Sequence, residues 1–163
     1  MVFGVIVVSD RIFKGLAKDA SGLKAKETIE KEGYKVSYYE IVPNDIKKIR
    51  NTLGKALDKG CKIIILIGGS GIGPRDVTVE AVKPLFEKEI PGFGELFRML
   101  SYQKIGSRTW LSRAIAGIYH NALIVVVPGS TGAVELALEE ILLPEVDHVI
   151  NMIKGVSHWN EKH

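Results

Sequence analysis

A chain of 163 residues with 46% hydrophobic and 25% charged residues is expected to form one globular domain. A net charge of +3 is too mild for the dense basic stripe of a nucleic-acid binder, and one cysteine, Cys61, excludes an internal disulfide. No apolar run approaches the length of a membrane span and no signal-peptide pattern opens the chain, so a cytoplasmic protein without membrane contact is expected.

The first run, Val2–Val8, is apolar and β-branched and suits a strand covered on both faces. Ser21–Lys31 follows a helical pattern, with Lys14 to Lys31 interleaved with Asp19, Glu27 and Glu30 as on a solvated surface. Lys35–Val42 alternates less cleanly and is expected nearer a sheet edge. Asp45–Lys59 places Ile46, Ile49, Leu53, Ala56 and Leu57 on one helical face. Lys62–Ile67 is a second buried strand, beside Cys61, which reads as a small buried hydrophobe. A helix is expected to start near Thr78 as N-cap, with Glu80 in its first turn. Phe93, Leu96, Phe97 and Leu100 repeat at helical spacing, and Phe93, Phe97 and Met99 form a segment that a monomer would leave partly uncovered. Ala122–Pro128 is a third buried strand. Thr131–Leu143 and Glu145–Ile153 are helical, with Pro144 where a first turn tolerates it. Residues 1–155 form the expected domain, and residues 156–163 a polar tail.

Strands alternating with helices predict an α/β sandwich with a mostly parallel sheet. Ligands of such sheets bind beyond the carboxyl ends of the strands. Three segments qualify: Ser9-Asp10-Arg11, the loop from Gly68, and Pro128-Gly129-Ser130-Thr131.

The loop GGSGIGPRD, Gly68 to Asp76, fails two familiar motifs. A Walker A loop would need Lys and a hydroxyl where Pro74 and Arg75 stand. A dinucleotide fingerprint would need glycine at Pro74 and would follow the first strand. What remains is a loop whose backbone approaches a ligand and points N–H groups at it. Arg75 suits a phosphate or a carboxylate. Asp76 would repel a phosphate there unless a cation lay between, and Mg²⁺ is the natural mediator. The alternative is a glycine-rich turn with Asp76 capping a helix. Ser130 or Thr131 suits an N-cap, or, beside a phosphate site, Gly129 and Ser130 suit ligand contacts. Ser9 and Asp10 alone read as a cap or turn. Arg113, after Ser112, is open between a surface ion pair and an anion contact. The histidines His120, His148, His158 and His163 lack metal-ligand spacing, and no catalytic triad is present.

The ordered segments VVSDRIFKGLAKDASG, IVPNDIKKI, GGSGIGPRDVTVEAV, PGFGELFRMLSYQKIGSRTWLSRAIAGI and VVPGSTGAVELALEEILLPEVDH resemble the MoaB/MogA family of molybdenum cofactor biosynthesis, closest to its MoaB branch. The resemblance implies a MogA-like, three-layer α/β/α sandwich with a mostly parallel sheet, assembling as trimers or hexamers. It implies binding of molybdopterin and of ATP with Mg²⁺, and adenylylation of molybdopterin with release of pyrophosphate. A MoeA-type metal insertion protein is the implied partner. By position, Asp76 matches the metal-linked catalytic aspartate. Gly68, Gly69, Ser70 and Gly71 match the nucleotide-side loop, and Pro128, Gly129 and Ser130 the second ligand loop. Ser9, Asp10, Arg75, Ser112 and Arg113 fall on motif positions. Several active members carry an aspartate directly after the proline at the second strand end, where this chain has Asn44. Asp45 is then either a substitute catalytic acid or the N-cap of the next helix. A non-catalytic pterin-binding or scaffold protein is the alternative function, and a nucleotide-binding regulator a remoter one.

Overall fold

A computed structural model describes residues 2–156, so the expected polar tail lies outside the described residues apart from Val156. Among these residues, six strands form one sheet: β1 (Val2–Val8), β2 (Lys35–Val42), β3 (Ile63–Ile67), β4 (Lys88–Glu89), β5 (Ile115–Tyr119) and β6 (Ala122–Val127), in the order β2-β1-β3-β6-β5-β4. The first four strands in that order run parallel, while β5 is antiparallel to β6 and β4 antiparallel to β5. Among the described residues the α-helices are α1 (Asp10–Phe13), α2 (Ala20–Lys31), α3 (Ile46–Asp58), α4 (Thr78–Val82), α5 (Pro91–Ile105), α6 (Thr131–Glu135) and α7 (Val146–Ile153). No helix among the described residues is long and apolar enough to cross a membrane.

The period of two along each central strand divides the core in half. Phe3, Val5 and Val7 of β1, with Ile63, Ile65 and Ile67 of β3, pack on one side against α2, α5, α6 and α7. Ile6, Val8, Ile64 and Leu66 pack on the other against α3 and α4. These runs carry no polar residue because both faces are covered, whereas β2 is the half-buried edge strand its mixed sequence implies. Cys61 belongs to the second half-core, 2% exposed, and burial pushes its thiol pKa up.

Several elements depart from the sequence reading. Ile115–Tyr119, which the sequence reading assigned to no element, forms β5. It turns into β6 through His120 and Asn121 at φ 47° and 57°. Two successive left-handed residues make the tight hairpin turn that suits twisted strands, here without a glycine to announce it. The segment Thr131–Leu143 is α-helical only to Glu135. It continues as a wider π-helical stretch, Leu136–Leu142, and a 3₁₀ turn, Leu143–Glu145, where Pro144 has no N–H to carry on the ladder. Phe93 and Phe97 are buried in the protomer's own core; the exposed apolar residues of α5 are Leu96, Met99, Tyr102 and Ile105, joined by Trp110.

Candidate functional site

The carboxyl ends of β1, β2, β3 and β6 open on a cleft of about 900 Å³. Because β1 connects outward to β2 while β3 lies on its other side, the chain reverses direction between β1 and β3. A doubly wound sheet places its ligand at such a point. Antiparallel β5 enters the sheet at the same end, which brings Ser112 and Arg113 there too.

The glycine loop leaves β3 at this reversal. The Gly68 amide donates to the carbonyl of Val127 at 3.0 Å, and Gly68 and Gly69 take φ of 98° and 65°. A Cβ on Gly68 would collide with the Val8 carbonyl, and one on Gly69 with Thr78 Oγ1 and Asn44 Oδ1. Thr78 is not the N-cap its position suggested; α4 begins at Thr78 and Val77 occupies the cap position without a side-chain bond. The Thr78 hydroxyl instead donates to the Gly68 carbonyl at 2.8 Å, and its amide to the Gly69 carbonyl at 3.0 Å. In a planar trans peptide the N–H points opposite its C=O. The amides of Gly69 and Ser70 therefore face away from Thr78. Together with that of Gly71, they donate to no internal acceptor among the described residues. This is the anion-binding concavity that consecutive free amides create.

The PRD segment closes the loop. The Asp76 amide donates to the Gly73 carbonyl at 3.1 Å, a four-residue turn with Pro74 at its favoured second position. The Asp76 carboxylate accepts from the Gly73 amide at 2.9 Å and lies against Gly71, where an added Cβ would come within 2.9 Å of it. Asp76 is half-buried and lines the cleft beside the free amides. Arg75, 70% exposed, pairs with a carboxylate of this chain: Nε and Nη2 donate to Asp10 at 3.0 and 3.1 Å, and Nη2 to the Asn44 carbonyl at 3.3 Å. The Asn44 amide also donates to Asp10, at 2.9 Å. Arg75 chiefly, and then Asn44, hold the Asp10 carboxyl down to a pKa of about 2.

The structure brings most of the expected residues together. Ser9, Asp10, Gly68, Gly69, Ser70, Gly71, Asp76, Ser112, Pro128, Gly129 and Ser130 all border the cleft. Ser9 and Ser130 also cap α1 and α6, accepting from the amides of Ile12 and Ala133. A Cβ on Gly129 would lie 3.5 Å from the Gly68 Cα, so the two loops touch. Three expected residues are not on the cleft wall. Asp45 N-caps α3, accepting from the Lys48 amide at 3.0 Å. Arg75 and Arg113 are both engaged with the loop and its neighbours.

Sequence reasoning missed the opposite wall: Phe97, Ser101 and Lys104 of α5, with Arg108 and Thr109 of the following 3₁₀ segment, Gly106–Leu111. Phe97 was legible only as a core residue. Lys104 and Arg108 stand four apart, but exposed basic pairs are too common to signal a site. Two buried polar atoms on the cleft residues have no hydrogen-bond partner: Asn44 Oδ1, and Oγ1 of Thr109, which is 4% exposed. Unpaired buried polar atoms are costly unless a ligand or water pairs with them.

Among the described residues, no three His, Cys, Asp or Glu side chains group to hold a metal, and His158 and His163 lie outside those residues. Asp10 is committed to Arg75, and Asp76 lies beside the free amides. That donor set fits a Mg²⁺ shared with ligand phosphates, which needs only one or two protein carboxylates.

Residues 4–148 match the family model described as "Probable molybdopterin binding domain". The molybdenum cofactor biosynthesis protein B of Staphylococcus aureus is 46% identical over 150 residues, covering 90% of this chain and 88% of its own. The crystal structure of the tungsten cofactor synthesizing protein MoaB from Pyrococcus furiosus superposes with a TM-score of 0.88 at 41% identity, covering 94% of this chain and 96% of that one. A MogA structure superposes at 0.86 with 29% identity, covering 94% and 99%. The chain therefore belongs to the MoaB/MogA family of molybdenum cofactor biosynthesis proteins.

Proposed function

We propose that the chain is a molybdopterin adenylyltransferase that uses ATP with Mg²⁺. The observation that carries this is the juxtaposition of unpaired Gly69, Ser70 and Gly71 amides with the Asp76 carboxylate at the β1/β3 reversal. Free amides bind phosphate oxygens, and Asp76 would hold a divalent ion against them, which would supply neutralisation of phosphate charge. In the proposed reaction a terminal phosphate oxygen of molybdopterin forms a bond to the α-phosphorus of ATP. The bond from that phosphorus to the β-phosphate bridging oxygen breaks, and pyrophosphate leaves. Such transfer asks the protein mainly for positioning and charge neutralisation and requires no side-chain nucleophile. Ser9, Ser112 and the Pro128-Gly129-Ser130 loop supply further polar contacts. The adenylylated product passes to a MoeA-type metal insertion protein. Incubation with molybdopterin, ATP and Mg²⁺ is expected to release pyrophosphate. Release no greater than that of an Asp76→Ala control would end this reading.

Asn44 favours a second reading, a non-catalytic molybdopterin-binding or scaffold protein. A neutral amide stands where several active family members carry a carboxylate, and Asp45 is occupied as an N-cap. That reading requires molybdopterin binding without ATP turnover, and a gain of pyrophosphate release in Asn44→Asp.

A further inference from the structure

Resting on the reading that the Gly68–Asp76 loop receives phosphate, we propose that Arg113 and Glu80 are positioning residues that brace this loop from behind, with no contact to the ligand.

Arg113 immediately precedes β5 by two residues, and the antiparallel entry of that strand puts its side chain behind the loop. Its Nε and Nη2 donate to the Gly71 carbonyl at 3.0 and 2.7 Å, and Nη2 also reaches the Asp76 carbonyl at 3.5 Å. Nη1 and Nη2 donate to the two carboxylate oxygens of Glu80, in the first turn of α4, at 2.5 and 2.9 Å. All three guanidinium nitrogens are thus engaged, so no two-pronged fork remains for a phosphate. Glu80 and Arg113 each shift the other's titration further into the charged range, chiefly through their hydrogen bonds.

The brace answers a mechanical need. Ile72, Gly73, Pro74 and Arg75 are exposed, and a glycine-rich backbone has many conformations to lose. Thr78 fixes the carbonyls of Gly68 and Gly69, but nothing in α4's own backbone reaches that of Gly71. Arg113 fixes it, and so sets the orientation of the peptide at which the loop bends towards Asp76. Lysine cannot replace this, because a single ammonium does not span the Gly71 carbonyl and both Glu80 oxygens as a planar fork does.

The test has two arms on the full chain, with Arg113→Lys and Glu80→Ala. By NMR amide exchange without ligand, the Gly73, Asp76 and Thr78 amides are expected to exchange at least tenfold faster in both variants, while those of β1 and β3 keep wild-type rates. Unchanged loop exchange would overturn the brace. In calorimetric titration with ATP and Mg²⁺, both variants are expected to bind at least tenfold more weakly. If Arg113 instead touched phosphate, Glu80→Ala would release the guanidinium and tighten binding, and Arg113→Lys would keep most of the affinity. Either result overturns the proposal. Should the wild-type chain bind no nucleotide, the phosphate reading fails while the exchange arm still decides the brace.

Discussion

Thr78→Val isolates one hydroxyl at the base of the glycine loop. Thr78 is fully buried, and its Oγ1 donates to the Gly68 carbonyl at 2.8 Å within a backbone segment that is itself buried. Valine keeps the branched shape and the amide bond to Gly69 but leaves the Gly68 carbonyl without its partner. Leaving one buried polar group unsatisfied costs about 1–3 kcal/mol. For a domain of this size that lowers the melting temperature by roughly 2–12 °C. Thr78→Ser keeps the oxygen and is expected to lose less than Thr78→Val. The loss should also reach the ligand, because the Gly68–Gly69 peptide becomes free to rotate and its N–H no longer points fixedly away from Thr78. Thermal unfolding at one protein concentration measures the first effect, and titration with ATP and Mg²⁺ the second. A Thr78→Val protein as stable as wild type, binding nucleotide equally well, would refute the assignment of this hydroxyl as the loop's anchor.

Gly69→Ala places a Cβ against Thr78 Oγ1 and Asn44 Oδ1 at a left-handed φ of 65°. A left-handed backbone alone costs an L-residue about 1–2 kcal/mol, so denaturant titration should show at least that loss. The Asp10 carboxyl has a folded pKa of about 2, below its ordinary 3.8, so the folded chain resists its protonation. Its contribution to stability is complete above pH 3.8 and is lost as the pH falls through about 2; an NMR titration of Asp10 with a midpoint near the ordinary value would contradict the Arg75 clamp. Cys61, 2% exposed and with its thiol pKa raised, should resist a thiol reagent until denaturant unfolds the chain, whereas rapid native labelling would contradict its burial. We propose that the exposed Leu96, Met99, Tyr102 and Trp110 are covered in a trimer or hexamer, and a monomeric mass by light scattering would exclude this.

The layered α/β architecture was legible from the amino-acid pattern, because three runs of apolar β-branched residues admit no other comfortable setting than strands covered on both faces. The pattern also located the Gly68–Asp76 loop, since four glycines directly after a buried strand report a backbone constraint that is local. Local caps were legible only as alternatives, Ser130 or Thr131 in one place and cap or catalytic acid at Asp45 in the other, and the structure shows Ser130 and Asp45 each accepting from an amide three residues on. The tertiary structure alone decided everything that depends on distant partners. It set Thr78 under the loop instead of at a cap, joined Arg75 to Asp10 across 65 positions, and put Arg113 behind Gly71 across 42. It also raised the wall of Phe97, Ser101 and Thr109, whose sequence pattern is that of an ordinary amphipathic helix and its end. The reason is physical: periodicity and capping act over a few residues, whereas an arginine's choice between solvent, a ligand and a carbonyl depends on which strand ends the sheet order brings side by side.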